Sequence, residues 1–163
     1  MTPGKLLAET MDTTRDLVHF YLAKIDETHW HTVVQSEGKP LNTIAWNLCH
    51  LAWAQNHLVL KACSDKAMTY PWLDHFAIGA PAPSRDLYPP NDEIREALAA
   101  IHAASISTVE QLSEEALAQP NRLGIPFKRG NSKLHIINHH LRHEPMHIGH
   151  ISTLCKLLGG KTI

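Results

Sequence analysis

Four stretches of the chain space their apolar residues as the buried face of an amphipathic α-helix does. They cover about residues 3–25, 41–64, 91–112 and 131–158. Alternating runs of β-branched residues, which are typical of strands, are missing. The pattern predicts an all-α protein, a four-helix bundle with long loops between helices in which residues 1–163 form one domain.

Polar residues and glycine mark where these helices begin and end. Asn42 or Thr43 is expected to cap the second helix, and Asn91 or Asp92 the third. The fourth helix is expected to stop at Gly159, because glycine commonly follows the last turn of a helix.

The connection between the second and third helices, residues 65–90, is unusually long. Its five prolines and Gly79 exclude a long helix, although a short turn near Trp72–Phe76 is expected. A connection of this length in a compact domain indicates either a functional lid or part of a pocket wall.

Composition excludes several classes of function. With a net charge of −1, the 163-residue chain has no basic surplus for nucleic acid or an anionic membrane, and no apolar run reaches membrane-spanning length. Its three cysteines are odd in number and lack CxxC spacing, so neither a disulfide framework nor a zinc knuckle is indicated. We therefore expect a cytoplasmic protein that binds neither nucleic acid nor a membrane.

Histidine is the residue that stands out, because six of the chain's thirteen lie between His135 and His150. His143 and His147, four residues apart, project from one side of a helix and can reach the same transition metal ion. His140 and His150 lie within about a turn of the same stripe. The pair alone fits a structural role as well as a metal-binding one, and it supplies only half a site.

The second helix offers a third imidazole. His50 lies among apolar residues, where an inward-facing ring needs a partner. If it faces the fourth helix, His50, His143 and His147 form a three-histidine site with open positions.

His57, seven residues further on, could line the cavity or orient a ligand. The flanking Trp46 and Trp53 are interpreted mainly as core residues. His139 is expected to point about a quarter-turn away from the stripe. The other histidines are expected to be surface, hydrogen-bonded or loop residues: His19, His29, His31, His75, His102 and His135.

"HEPMH" at residues 143–147 also matches H-E-x-x-H, the zinc-protease motif whose glutamate is the general base. A protease of that kind needs a further ligand downstream, yet no Asp or Glu follows His147, and His150 does not fit the extended motif. The strands that shape a protease cleft are also missing from the pattern. Glu144 points away from the ligand stripe and is interpreted as structural.

Two segments resemble the DinB-like (YfiT-like) helical superfamily. "NTIAWNLCHLAWAQNHLVL" is similar to its second helix, and "RHEPMHIGHISTLCKLLGG" to its last helix with the pattern H-E-x-x-H-x-G-Q. The similarity covers nearly the whole chain. It implies an up-down-down-up bundle, often dimeric, that binds a divalent metal ion, zinc or nickel, through His50, His143 and His147.

Two positions depart from the family pattern. His150 stands where relatives commonly carry glutamine. It is expected either to support the ligands from behind or to be a fourth ligand. Pro145 lies between the two ligands in mid-helix, where it removes a backbone donor and is expected to kink the helix and re-aim His143 or widen the site.

Characterised members of the family include transferases and isomerases that use low-molecular-weight thiols. The resemblance therefore implies a metal-dependent enzyme of the thiol-S-transferase or hydrolase type, with a thiol as a possible cofactor. The alternative is a non-catalytic metal-binding or stress-related bundle, since the sequence shows no obvious general base.

Overall fold

Four long helices pack side by side in the computed structural model, which describes residues 1–162. The helices are α1 (Pro3–Leu22), α2 (Ile44–Gln55), α3 (Asn91–Glu110), the short α4 (Glu114–Ala118) and α5 (Lys133–Leu157). The predicted all-α four-helix bundle is confirmed. Within the described residues, no helix is both long enough and apolar enough to span a membrane.

The long helices run up, down, down and up. Both α1 and α2 pack against α3 and α5, so α1 and α2 lie diagonally across the bundle. Two contacts for each pair of helices fix these directions. Between α1 and α5 they are Arg15–Glu144 and Tyr21–Cys155. Between α2 and α5 they are Asn47–His147 and His50–His143, and between α1 and α3 they are Gly4–Leu112 and Arg15–Leu98. Helix α5 is therefore parallel to α1 and antiparallel to α2, which places the two histidine-bearing segments side by side.

Hydroxyl side chains begin three of the long helices. Thr2, Thr43 and Ser132 each accept a hydrogen bond from a backbone N–H of the first turn, which satisfies a donor that the helix leaves unpaired. Of the two caps expected for α2, Thr43 fills the role. At the other end of α5, Gly159 has φ 90° and allows Gly160 to donate back to the carbonyl of Cys155.

The predicted cap of α3 is wrong. Pro90 occupies the N-cap position, and no side chain caps this helix. Asn91 Oδ1 instead accepts from His31 Nε2 at 2.8 Å, and Asp92 Oδ1 accepts from the N–H of Glu93. The side chain of Asn91 thus binds another part of the chain, that of Asp92 accepts from the next residue within the first turn, and α3 begins at Asn91 itself.

The segment predicted as one helix over residues 41–64 changes its hydrogen-bonding pattern part-way. After Gln55 it continues as a π-helix, Asn56–Lys61. The side chain of Asn56 pairs with both backbone groups of Met68, at 2.8 and 2.9 Å, which ties the long connection to this turn. Hydrophobic spacing does not distinguish these two helix types over six residues.

The connection of residues 65–90 forms part of the wall of the bundle. It contains two 3₁₀ helices, Leu73–Phe76 and Arg85–Leu87, and the first confirms the short turn expected there. Phe76 is fully buried in the core, and Trp72 and Leu73 are buried beside it. Of the two roles considered, these buried side chains favour a wall over a lid.

One small sheet was not predicted. Strands β1 (Gln35–Ser36) and β2 (Lys39–Pro40) pair as an antiparallel hairpin. Glu37 and Gly38 between them have positive φ angles of 49° and 76°, as a tight hairpin turn requires. Strands of two residues are too short to produce an alternating pattern in the sequence.

Buried polar side chains separate two hydrophobic clusters along the bundle. Each long helix contributes apolar residues to both clusters. The polar layer consists of Arg15 between Met11 and Val18 on α1, Gln55 between Ala52 of α2 and Leu58 of the following π-helix, Ser105 between Ile101 and Val109 on α3, and His140 and Glu144 between Ile137 and Ile148 on α5. The candidate site lies next to this layer, on α2 and α5.

Candidate metal centre

The antiparallel packing of α2 and α5 brings His50, His143 and His147 together. Nε2 of His50 lies 3.1 Å from Nε2 of His143, and one nitrogen from each of the three rings lies within 4.8 Å of the others. The side chains are nearly enclosed, with 3, 9 and 7% of their surface exposed. Helix α5 is helical through the exposed Pro145, and both His143 and His147 face His50.

Hydrogen bonds at Nδ1 fix the state of two of these rings. Nδ1 of His50 lies 2.7 Å from the carbonyl oxygen of Phe76, which can only accept, so this nitrogen carries the proton. Nδ1 of His147 lies 2.9 Å from Oδ1 of Asn47, whose amide nitrogen already donates to the carbonyl of Thr43. Both neutral rings therefore present an unprotonated Nε2 to the cluster.

The cluster cannot satisfy itself by hydrogen bonds alone. His50 and His147 each present a lone pair, and the single N–H of a neutral His143 can serve only one of them. If His143 donates through Nε2 to His50, its own Nδ1 is left without a proton, and this atom is buried without a partner. A cation among the three nitrogens would accept all the lone pairs at once.

The spacing also suits a metal ion. Bonds of about 2.0–2.1 Å at tetrahedral angles place two ligand nitrogens about 3.3 Å apart. The two Nε2 atoms of His50 and His143 are 3.1 Å apart, close to that value. Three neutral imidazoles are a donor set typical of zinc and nickel.

Burial keeps the three rings neutral. Burial, followed by the neighbouring His50, lowers the pKa of His143 to about 4. The same two causes in the same order lower the pKa of His147 to about 3. Burial also lowers the pKa of His50, against the opposing effect of its bond to Phe76. Near neutral pH the rings are therefore in the form that binds metal.

Aromatic rings hold His50 from both sides along α2. Trp46 stacks on His50 with centroids 4.9 Å apart, and Trp53 stacks on it at 5.6 Å. His57 stacks in turn on Trp53 at 4.9 Å, so a whole tryptophan separates it from the cluster. The two tryptophans pack partly against the core, as expected, and they also fix the ring plane of His50. The structure does not bring His57 to the site.

Glu144 faces away from the three rings and into the polar layer. Its Oε1 accepts from Nε of Arg15 at 2.6 Å, and Oε2 lies 3.2 Å from Nε2 of His140. Burial alone would raise the pKa of Glu144. The positive charge of Arg15, together with the hydrogen bonds from His140 and Arg15, outweighs burial and holds this pKa below its usual range. The carboxylate is thus a permanent anion that joins two helices. His140 contacts this carboxylate and does not belong to the cluster.

Two further histidines of α5 touch the cluster from outside. His150 is exposed, and its ring lies edge-on to His147 with centroids 5.5 Å apart. His139 is half-buried, 6.1 Å from the ring of His143, and packs on Phe127. Neither ring joins the group of nitrogens that lie within bonding reach of one point.

Two hydrogen-bond partners were missed in the sequence. Asn47 lies three residues before His50 in an otherwise apolar stretch, and a buried amide there is a signal that could have been noticed. The carbonyl of Phe76 gives no signal, because any residue supplies the same oxygen. Arg15 is a third residue that was missed, and it is buried. Its position on the apolar face of α1 is the signal that could have indicated this burial.

Comparison with known proteins identifies the family of the chain. No curated protein matches the chain. A family model of the DinB superfamily matches residues 9–151, which include all three clustered histidines and all four long helices for most of their length. The chain therefore belongs to the DinB superfamily.

Proposed function

We propose that this protein binds one divalent transition metal ion, zinc or nickel, through Nε2 of His50, His143 and His147. The observation that carries the proposal is the inability of the three buried rings to satisfy one another by hydrogen bonds. Membership of the DinB superfamily and the possible metal site of the same three histidines support it.

The surrounding residues would hold the ligands in place. The carbonyl of Phe76 and the amide of Asn47 orient His50 and His147 through their Nδ1–H groups. Trp46 and Trp53 restrict rotation of the His50 ring and exclude water from its faces. The protein thus supplies neutral, oriented nitrogens in a nearly enclosed setting.

We propose further that the metal serves a reaction of the thiol-S-transferase or hydrolase type on a small molecule, with a low-molecular-weight thiol as co-substrate in the transferase case. A bound dication supplies Lewis acidity, which lowers the pKa of a coordinated water or thiol toward neutrality. Three neutral ligands support this proposal because they leave the charge of the ion uncompensated. A homodimer stays a prediction of the family resemblance.

One observation favours the alternative, a non-catalytic metal-binding bundle. The carboxylate of the H-E-x-x-H sequence, Glu144, is occupied by Arg15 and His140 and faces away from the three rings. It is therefore not placed to move a proton at the site.

Metal content of purified variants tests the proposed site. We expect about one equivalent of zinc or nickel in the wild type, measured by elemental analysis, and almost none in His50→Ala or His143→Ala, because two imidazoles hold such an ion too weakly. His57→Ala, on the same helix but behind Trp53, is the matched control and should keep its metal. Unchanged metal content in His50→Ala would overturn the ligand assignment.

A second experiment separates the two functions. The metal-loaded protein is incubated with several thiols, each paired with electrophilic or hydrolysable small molecules, and product is measured. Turnover that disappears in His143→Ala supports the enzyme. Stoichiometric metal without turnover against the whole panel favours the non-catalytic bundle.

A further inference from the structure

The three clustered rings are nearly enclosed, so an ion must pass other side chains to reach them. On the α2 side, Trp46 and Trp53 cover the two faces of His50. The pocket beside His57, with a volume of about 280 Å³, ends against Trp53 and does not reach the cluster. The α2 side therefore offers no direct way in.

A second cavity lies on the other side of the cluster, and two of its lining residues contact His147. It has a volume of about 320 Å³, and its polar lining comes from Asn42, Asn47, His150 and Thr153. Asn47 is the residue that hydrogen-bonds His147, and the ring of His150 contacts the ring of His147 directly. None of the three clustered histidines lines this cavity, and the amide of Asn47 and the ring of His150 separate it from His147; of these two groups, the imidazole is the one that can bind a transition metal ion.

We propose that His150 is a transient capture site through which the metal ion enters and leaves, and that it is not a ligand of the bound ion. This inference rests on the proposed function. An incoming hydrated ion exchanges one water for the ring of His150 and then exchanges that ring for His147, 5.5 Å away between centroids. Each exchange replaces one donor atom on the ion by another, so the number of ligands on the ion stays the same.

The position of His150 on α5 makes this transfer plausible in geometry. A spacing of three residues places both rings on adjacent turns of one helix, where their separation is fixed by the backbone. The edge-on arrangement, with an interplanar angle of 87°, leaves the nitrogens of His150 free of stacking. Its exposure distinguishes it from His139, which is half-buried against Phe127.

A capture residue and a ligand have different kinetic signatures. A group that contacts the ion only on the way in and out changes the association and dissociation rate constants by the same factor, because it stabilises neither end state. A resident ligand stabilises the bound state, so its removal raises the dissociation rate constant and weakens the affinity. The ratio of the two rate constants therefore decides between the roles.

Stopped-flow metal exchange with Zn²⁺ and a chromophoric chelator tests the proposal on the full chain. We expect His150→Gln to slow both association and dissociation by about tenfold, while the Kd stays within about twofold of the wild type. His19→Gln, which removes an exposed imidazole from α1, is the matched control and should leave both rate constants unchanged. Thr153→Phe, which fills the same cavity from an exposed position, should slow both steps as well.

Two results would overturn the proposal. Unchanged rate constants in His150→Gln would show that the ion takes another path. A faster dissociation with a weaker Kd would show that His150 is a fourth ligand. Circular dichroism confirms that each variant is folded. Equilibrium binding of zinc and nickel to the wild type is measured separately, before the kinetics. Failure to bind either ion would contradict the proposed function.

Discussion

At the scale of single residues, the proton on Nδ1 determines what each histidine can offer. The carbonyl of Phe76 and the amide oxygen of Asn47 each accept that proton, which turns the lone pair of the opposite nitrogen toward the cluster. An imidazole without such a partner can adopt either tautomer and rotate. The hydrogen-bond acceptors are therefore as much part of the candidate site as the rings themselves.

Asn47 gives a direct test of this role. We expect Asn47→Leu to weaken zinc affinity by about 10- to 100-fold, because His147 loses the acceptor that fixes its tautomer and orientation. Asn47→Asp retains an oxygen at the same position and should restore most of the affinity. Competition titration against a chelator of known affinity measures both, and equal affinities of wild type and Asn47→Leu would contradict the argument.

At the scale of helices, the sequence predicted the elements better than their connections. Apolar spacing identified all four long helices, and histidines four residues apart on α5 indicated one shared face. It did not predict the π-helical turn Asn56–Lys61, because hydrophobic spacing is nearly the same over one turn of either helix. Nor could it show that Asn91 hydrogen-bonds His31, 60 residues away, instead of capping α3.

The buried ion pair of Arg15 and Glu144 joins α1 to α5 beside the candidate site. Arg15 also donates to Gln55 of α2 at 2.8 Å and to the carbonyl of Leu98 on α3 at 3.5 Å, so one guanidinium links all four long helices. Its side chain and that of Glu144 are 4 and 1% exposed. Removing one partner from such a pair leaves an uncompensated charge in the interior, which costs far more than the pair contributes.

We therefore expect Arg15→Met to lower the free energy of unfolding by about 3–5 kcal/mol. The double variant Arg15→Met/Glu144→Leu should recover much of this loss, because neither charge then remains buried alone. Urea denaturation of the metal-free proteins measures both. As a control, Lys5→Met removes one partner of an exposed pair, Lys5 and Glu110, and should change stability by no more than about 1 kcal/mol. An equal cost in the single and double variants would contradict this account.

At the scale of the whole molecule, a polar layer divides the interior of the bundle. The apolar clusters on either side follow from the periodicity of each helix, and this part of the fold was predictable. The pairing within the layer was not, because Arg15 and Glu144 are 129 residues apart and no local pattern specifies which buried polar groups meet. For the same reason the sequence pattern alone could not show whether His50 faces the histidines of α5. The family resemblance predicted that it does.

Burial of the histidine cluster makes the stability of the metal-free protein depend on pH. The pKa values of His143 and His147 fall from 6.5 to about 4 and about 3 on folding. The unfolded chain therefore binds more protons than the fold at intermediate pH, and stability decreases as pH falls from the ordinary value of 6.5 toward these lowered values.

Urea denaturation at two pH values measures this dependence. From about pH 7 to about pH 5, the double variant His143→Gln/His147→Gln should lose on the order of 2 kcal/mol less stability than the wild type. The control variant His19→Gln/His75→Gln removes two exposed imidazoles and should keep the pH dependence of the wild type. If both double variants keep the wild-type dependence, burial of the cluster does not set the acid sensitivity of the fold. A smaller loss of stability in His143→Gln/His147→Gln alone would show that the acid sensitivity of the fold comes from the rings that α2 and α5 bring together.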